Sequence, residues 1–381
     1  MRFLFVTGGS PATVFALTPL ATAVRNAGHE VFLAANEELV TTIAGNGIPA
    51  VGITPTSIRD FIFTDSAGLP AVVPRDPRGV MLHVGRSFAR MAEAGMETLS
   101  TLAREWRPDL IVGGSAAYGA GLVATQFEVP YVRHAWDIVE TSVMDEGATE
   151  ILAPQLRKAG LNELPRPEVF IDICPPGLRG EAAPAAAQPM RWIPGNRQRR
   201  LEPWMYTRPA HRRRALVTGG TRSFMPEKAG FLRRLTEALA TVDMEVLIAA
   251  PEDVAEGLRA VLGDVRIGWI PLDVVAPTCD VILHHGGGVT AMTAMNAGAL
   301  QLITPSDAYL KVLAQPIADF GAGIVLPPGA ESAEQIAQAC QDLLTDPGYR
   351  HRARTLAEQI ASLPAPADVA RKLEDLCRGA K

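Results

Sequence analysis

The sequence predicts an α/β protein built from two doubly wound, Rossmann-like domains. Three observations carry this. Short apolar runs of strand length alternate with longer segments of helical period along almost the whole chain. The chain opens with strand, turn, helix and strand over residues 3–34, a β–α–β start that leads to a parallel sheet. The pattern then restarts in the second half, where Ala215-Leu-Val-Thr-Gly-Gly-Thr221 echoes Phe5-Val-Thr-Gly-Gly-Ser10. Two such domains imply a cleft between facing strand ends, and domain clefts favour ligands.

The totals agree with two or three globular domains. The 381 residues are 48% hydrophobic and 20% charged, enough for full cores and without a disorder signature. A net charge of −5 argues against nucleic acid as a partner. Cys174, Cys279, Cys340 and Cys377 are widely spaced with no metal-ligand pattern, so reduced structural thiols and no bound metal are expected. The N-terminus runs straight into a strand, too short and too weakly charged for a signal peptide. No apolar run reaches the roughly 18 residues a membrane span needs. A cytoplasmic protein is the expectation, either monomeric or homodimeric.

In order, the first strand covers residues 3–7 and ends in Gly8-Gly9-Ser10-Pro11. A helix over 13–26 carries Val14, Leu17, Leu20, Ala21 and Val24 at helical spacing and stops at Gly28. The turn lacks the GxGxxG dinucleotide fingerprint. Ser10 is placed to reach a phosphate, or simply to cap the helix. Residues 53–78 are proline-rich and aperiodic, with Phe61 and Phe63, and read as a loop that covers something. A helix over 81–102 follows, then strands at 109–112 and 129–132. Directly after the latter comes Arg133-His-Ala-Trp136-Asp137. Ligand chemistry in open α/β sheets sits beyond strand carboxyl ends, so Asp137 is a candidate catalytic carboxylate; the alternative is a helix cap or surface group.

The first half ends with a helix over 151–161 and strands at 169–174 and 190–193. Residues 197–214, rich in Arg and Pro, read as a solvated interdomain linker more than an anion patch. The second half alternates strands at 245–249, 265–269, 281–285, 300–304 and 324–326 with helices between and after them. The domains expected are 1–196 for the first, 197–213 for the linker and 214–360 for the second. A C-terminal helix at 361–381 would cross back to the first domain.

The sharpest motif is Asp280-Val-Ile-Leu-His-His-Gly-Gly-Gly-Val-Thr290. A buried strand breaks at two histidines and three glycines, and a helix follows. Glycines allow close approach of the backbone, free first-turn N–H groups point outward, and the dipole favours an anion. A tight turn without a ligand is the competing interpretation, and the flanking residues weigh against it.

Those flanks carry a resemblance. Gly268-Trp-Ile-Pro-Leu-Asp273, Cys279-Asp280, the His284–Thr290 motif, Ala297-Gly-Ala-Leu-Gln-Leu-Ile-Thr-Pro305 and Gly321-Ala-Gly323 resemble the GT-B nucleotide-sugar glycosyltransferases of antibiotic tailoring. Ala27-Gly-His-Glu-Val31 and Arg107-Pro-Asp-Leu-Ile111 extend it through the first half. Phe170-Ile-Asp-Ile-Cys-Pro-Pro176 and Leu201-Glu-Pro-Trp-Met-Tyr-Thr-Arg208 look most similar to the angucycline olivosyltransferases of the landomycin and urdamycin type.

The resemblance implies a dTDP-sugar co-substrate, an aromatic polyketide acceptor and no metal. The diphosphate would lie over Gly287 and Gly288, with His285 hydrogen-bonding it and Val289 and Thr290 contributing backbone and hydroxyl groups. Trp269 and Ile270 would take the thymine. Gly220, Thr221 and Arg222 would close over the phosphates, joined by Ser10. Phe61, Phe63, Met81 and Trp136 would line the acceptor side.

Two departures matter. Family members often carry a histidine base in the first loop, but Ser10-Pro-Ala-Thr-Val-Phe15 has none, which leaves Asp137 as general base. The Asp-Gln pair that binds sugar hydroxyls is replaced by Ser306-Asp-Ala-Tyr-Leu310, which fits a deoxysugar because unmatched buried polar groups are costly. The implied reaction is inverting transfer of D-olivose to a phenolic oxygen, with attack through an ortho carbon also open. A non-hydrolysing sugar-nucleotide epimerase and a non-catalytic nucleotide-binding helper are the alternatives.

Overall fold

The computed structural model describes residues 1–179, 187–220, 228–239, 242–262, 265–327 and 332–379. The chain divides into two compact units. One comprises Met1–Cys174, Gly180–Arg191 and Leu363–Lys381; the other comprises Pro175–Arg179 and Trp192–Ser362.

The first unit carries β1 (Arg2–Val6), β2 (Glu30–Ala35), β3 (Ala50–Gly52), β4 (Leu110–Gly114), β5 (Tyr131–His134), β6 (Val169–Asp172) and β7 (Ala187–Pro189). They form one parallel sheet in the order β3-β2-β1-β4-β5-β6-β7. Parallel strands are covered on both faces, which is why Phe3–Val6 and Leu110–Gly114 are uninterrupted buried runs rather than alternating ones. The winding reverses between β1 and β4. Their carboxyl ends open into Thr7-Gly-Gly and Gly113-Gly-Ser, the position at which such sheets bind ligands.

The second unit repeats the arrangement. Its strands are β8 (Arg213–Thr218), β9 (Met244–Ala249), β10 (Arg266–Gly268), β11 (Val281–His284), β12 (Leu300–Ile303) and β13 (Gly323–Val325). All pair in parallel, in the order β10-β9-β8-β11-β12-β13. The reversal falls between β8 and β11, where Thr218 and His284 are register partners. The Thr-Gly-Gly and His-His-Gly turns therefore leave the sheet side by side.

Helices cover both sheets. The longest, Pro77–Trp106, starts cleanly because Asp76 accepts a hydrogen bond from the Gly79 amide at 2.7 Å and Pro77 takes the first helical position. It ends at Arg107 in the left-handed conformation, φ 52°. The last helix, Pro366–Gly379, packs on Pro11–Asn26 within the first unit through Val369, Ala370, Leu373 and Cys377. Glu374 Oε1 stands 3.0 Å from His29 Nε2 there.

Three sequence expectations are corrected. Residues 53–78 are not an aperiodic loop: they contain the helix Ile58–Phe63, capped by Ser57 Oγ accepting from the Asp60 amide at 3.2 Å, and an antiparallel bridge from Thr64 to Pro70. Residues 197–214 are not simply a solvated linker. They hold the short helix Pro203–Tyr206 and the start of β8, and Arg214 is only 2% exposed. The final strand of the first unit is β7 rather than 190–193; Met190 continues past it, its amide donating to Asp172 O at 2.9 Å.

All four cysteines are buried thiols. Among the described residues no helix is long and apolar enough to cross a membrane. No three His, Cys, Asp or Glu side chains gather as metal ligands among them.

Candidate active site

The turn after β11 is built by its two histidines in different ways. His284 ends the strand with its side chain in the core, fully buried. Its Nδ1 accepts from the Gly286 amide at 3.1 Å, so the ring proton resides on Nε2, which donates to Gln301 Oε1 at 3.0 Å. Burial pulls its pKa down to about 4, so the ring is neutral at ordinary pH. His285, 5% exposed, lies on the other side of the chain direction.

Glycines hold the His285 ring in place. A Cβ on Gly220 would stand 2.4 Å from Cε1 of that ring, and one on Gly287 would stand 2.5 Å from Nε2. No side chain fits at either position without moving the imidazole. Gly220 is further fixed by its positive φ of 69° and by its amide donating to Thr218 Oγ1 at 3.1 Å. The Thr-Gly-Gly echo in the first unit is anchored differently, since the Gly9 amide donates to Asn36 Oδ1 at 3.2 Å.

Past the turn, Gly287 occupies the N-cap of the helix Gly288–Asn296. The first intrahelical bond is that of Ala291 N to Gly287 O, 2.9 Å. The amides of Gly288, Val289 and Thr290 precede it, in the half-buried first turn where a helix presents unmatched donors and positive potential. His285, Gly287, Gly288, Val289, Thr290 and Gly220 are thus brought together. Thr221 and Arg222 lie outside the described residues.

Trp269 and Ile270 follow β10. The Trp269 indole N–H donates to Arg197 O at 2.8 Å, and Arg199 Nη1 donates to Trp269 O at 3.2 Å. Ile270 is 4% exposed in the core beneath. Asp307, in the stretch that replaces the Asp-Gln pair, is the N-cap of Ala308–Asp319 and accepts from the Leu310 amide at 2.9 Å.

In the first unit, Asp137 is half-buried three residues past β5. Its Oδ1 accepts from the Val139 amide at 2.9 Å, an Asx turn rather than a helix cap; the next helix, Ser142–Lys158, has Thr141 at its N-cap. The segment leading to it is pinned. Arg133 donates to both oxygens of Asp145 at 2.7 Å, and its Nε donates to Ser115 O at 2.8 Å. The Trp136 amide donates to Ser115 Oγ at 3.0 Å. Tyr118 donates to Asp145 at 3.1 Å, and burial raises its pKa well above the usual range, so it is no base. His134 is fully buried, its Nδ1 2.6 Å from Ala135 O, and burial lowers its pKa to about 4.

The Trp136 ring covers Gly114, where a Cβ would stand 2.0 Å from Nε1, and tilts against Phe88 at 5.4 Å. Met81 is buried in the second turn of the long helix, Phe61 is half-buried under the Arg90 guanidinium, and Phe63 is 40% exposed. Ser10 is the N-cap of Pro11–Asn26, but its side chain makes no capping bond. Gln301 stands inside the Ala297–Pro305 stretch but carried no separate functional signal there, and for the Arg133–Asp145 pair an i, i+12 charge pairing across a strand and a helix start was the available signal.

Two family models match this chain: erythromycin biosynthesis protein CIII-like, N-terminal domain, over residues 22–220, and the C-terminal domain of the same description over residues 233–376. The chain belongs to this family. L-demethylnoviosyl transferase of Streptomyces niveus is 32% identical over 375 residues, covering 98% of this chain and 97% of that one. Among solved structures, glycosyltransferase SsfS6 of Streptomyces sp. SF2575, complexed with thymidine diphosphate, matches with a TM-score of 0.88 and 29% identity over 98% of this chain and 99% of that chain. Spinosyn rhamnosyltransferase SpnG, complexed with spinosyn aglycone, matches with a TM-score of 0.85 and 29% identity over 98% of this chain and all of that one (100%). The CIII-like protein is therefore a glycosyltransferase of antibiotic tailoring, and its two parallel-sheet units are those of the GT-B fold.

Proposed function

We propose that this CIII-like enzyme transfers a deoxysugar, D-olivose, from dTDP to a phenolic position of an angucycline-type polyketide, with inversion at the anomeric carbon. The observation that carries the donor half is the His285 imidazole held between Gly220 and Gly287 at the N-terminus of the helix Gly288–Asn296. Imidazole, amides and dipole suit a diphosphate without requiring a metal at that place. Their larger effect is on the charge that grows on the leaving dTDP, since interactions stronger in the transition state accelerate the reaction. Thymidine diphosphate in the SsfS6 complex and a rhamnosyl group, itself a 6-deoxyhexose, in the name of SpnG support this donor class.

On the acceptor side, Asp137 is the general base. It removes the phenolic proton, and the phenolate oxygen, or its ortho carbon, attacks the anomeric carbon opposite the departing dTDP. The C–O bond to phosphate breaks, the new glycosidic bond forms, and an α donor gives a β product. Trp136, Met81, Phe61 and Phe63 supply apolar surface for a flat aromatic acceptor. Ser10, Thr221, Arg222, Thr290 and the Val289 amide add polar contacts to the phosphates, and Trp269 and Ile270 receive the thymine.

The test is direct. Incubation with dTDP-D-olivose and a phenolic tetracyclic aglycone should yield a mass shift of one dideoxyhexosyl residue, release of dTDP, and a β-anomeric coupling in the product's proton spectrum. Release of dTDP without an adduct, or an α product, would contradict the reading.

A further inference from the structure

We propose that His284 and Gln301 form a buried positioning pair that sets the shape of the donor-phosphate turn, and through it donor affinity, without touching the substrate. This rests on the reading that the turn after β11 holds the dTDP diphosphate. The geometry is a three-part relay. Gln301, 1% exposed on β12, receives the Nε2 proton of His284. That fixes the tautomer and leaves the Nδ1 lone pair to receive the Gly286 amide. Gly286 sits at φ 92°, a left-handed conformation with few natural restraints of its own. Its captured N–H fixes where the chain turns into His285, Gly287 and the helix start.

The physical logic is that each link depends on the one before it. Without an acceptor at 301, the buried Nε2–H loses its partner, and the ring turns toward another. Its Nδ1 then leaves the Gly286 N–H, and the turn opens. A buried donor left unmatched is costly enough to drive such a displacement. Supporting groups of this kind typically matter about 10- to 100-fold where they orient a ligand-bearing residue at a metal site, and the same lever operates here.

The two nitrogens can be separated by substitution. Asn places an acceptor where Nδ1 stands, and Gln reaches where Nε2 stands. His284→Asn keeps the Gly286 bond and should weaken dTDP binding, measured by calorimetry, by no more than about threefold. His284→Gln keeps only the Gln301 side and should weaken it by about tenfold or more, as should Gln301→Leu. Gln301→Glu retains an acceptor and should restore affinity to within about threefold of the parent. The KM for the donor should follow these changes while the KM for the acceptor stays constant, a split that general loss of folding would not give. Equal losses in His284→Asn and His284→Gln, or no rescue by Gln301→Glu, would overturn the pairing. His285→Ala distinguishes the underlying reading: if it leaves dTDP binding intact, the phosphate turn itself is misassigned. If it weakens binding while His284→Gln does not, only the positioning pair fails.

Discussion

The His285 ring rests directly on the backbone of Gly220, so closely that a methyl group on that glycine would overlap Cε1 at 2.4 Å. Two turns from separate strands, β8 and β11, thereby form one surface. Gly220→Ala should displace the imidazole and strain a backbone at φ 69°. The backbone cost is about 1–2 kcal/mol. Calorimetry should find dTDP binding weakened by about tenfold, with a modest fall in thermal midpoint. Unchanged affinity would mean that the ring position does not matter for the nucleotide.

Arg214 gives a second prediction. Its side chain is 3% exposed, its Nε lies 2.8 Å from Glu245, and Nη1 donates to Trp204 O, Thr207 O and Thr278 Oγ1. Removing Arg214 leaves the half-buried Glu245 carboxylate with Arg266 as its remaining cation and takes the guanidinium donor from three acceptors. Arg214→Met should destabilise the protein by roughly 3 kcal/mol in denaturant unfolding. A loss below about 1 kcal/mol would place this pair among ordinary surface contacts.

The fold was largely legible in the sequence, because buried parallel strands are apolar runs and β1, β4, β8 and β11 run into visible glycines. Short or non-local features were not. The helix Ile58–Phe63 is too brief to display a period, although its Ser57 and Asp60 spacing marked a cap. Arg214 could not be told from its solvated neighbours, since its partner Glu245 lies on the adjacent strand β9. The two histidines were visible as a pair, but strand direction alone separates one facing the core from one facing the turn. Asp307 looked chemical and is a cap because its Oδ1 meets the Leu310 amide.

Acid stability follows from His134 and His284. Burial lowers both to about 4, below the ordinary 6.5. The unfolded chain therefore binds protons that the folded chain does not, and stability rises with pH between those values. The contribution is complete above about pH 6.5 and lost as pH falls through 4, on the order of 3 kcal/mol for each ring. Denaturant midpoints should fall from pH 7 to pH 4, and His284→Asn should flatten that slope. A slope identical in the variant would assign the acid sensitivity to other groups.

Arg133 should act through position rather than contact. Arg133→Lys keeps the charge but cannot bridge both Asp145 oxygens and Ser115 O at once. It should lower kcat by about tenfold while leaving dTDP affinity unchanged, because a misplaced base costs rate more than binding. Loss of dTDP affinity in this variant would contradict the separation of donor and acceptor functions.

The central claim concerns Asp137 as the base that readies the acceptor for a donor held at the His285 turn. Asp137→Asn preserves shape and the Oδ1 acceptor for the Val139 amide but cannot take a proton. Turnover of dTDP-sugar and phenolic aglycone by this variant, measured beside its dTDP affinity, tests the claim most directly. The account predicts dTDP binding within about twofold of the parent and turnover reduced by about 100-fold or more. Turnover close to the parent's would contradict it.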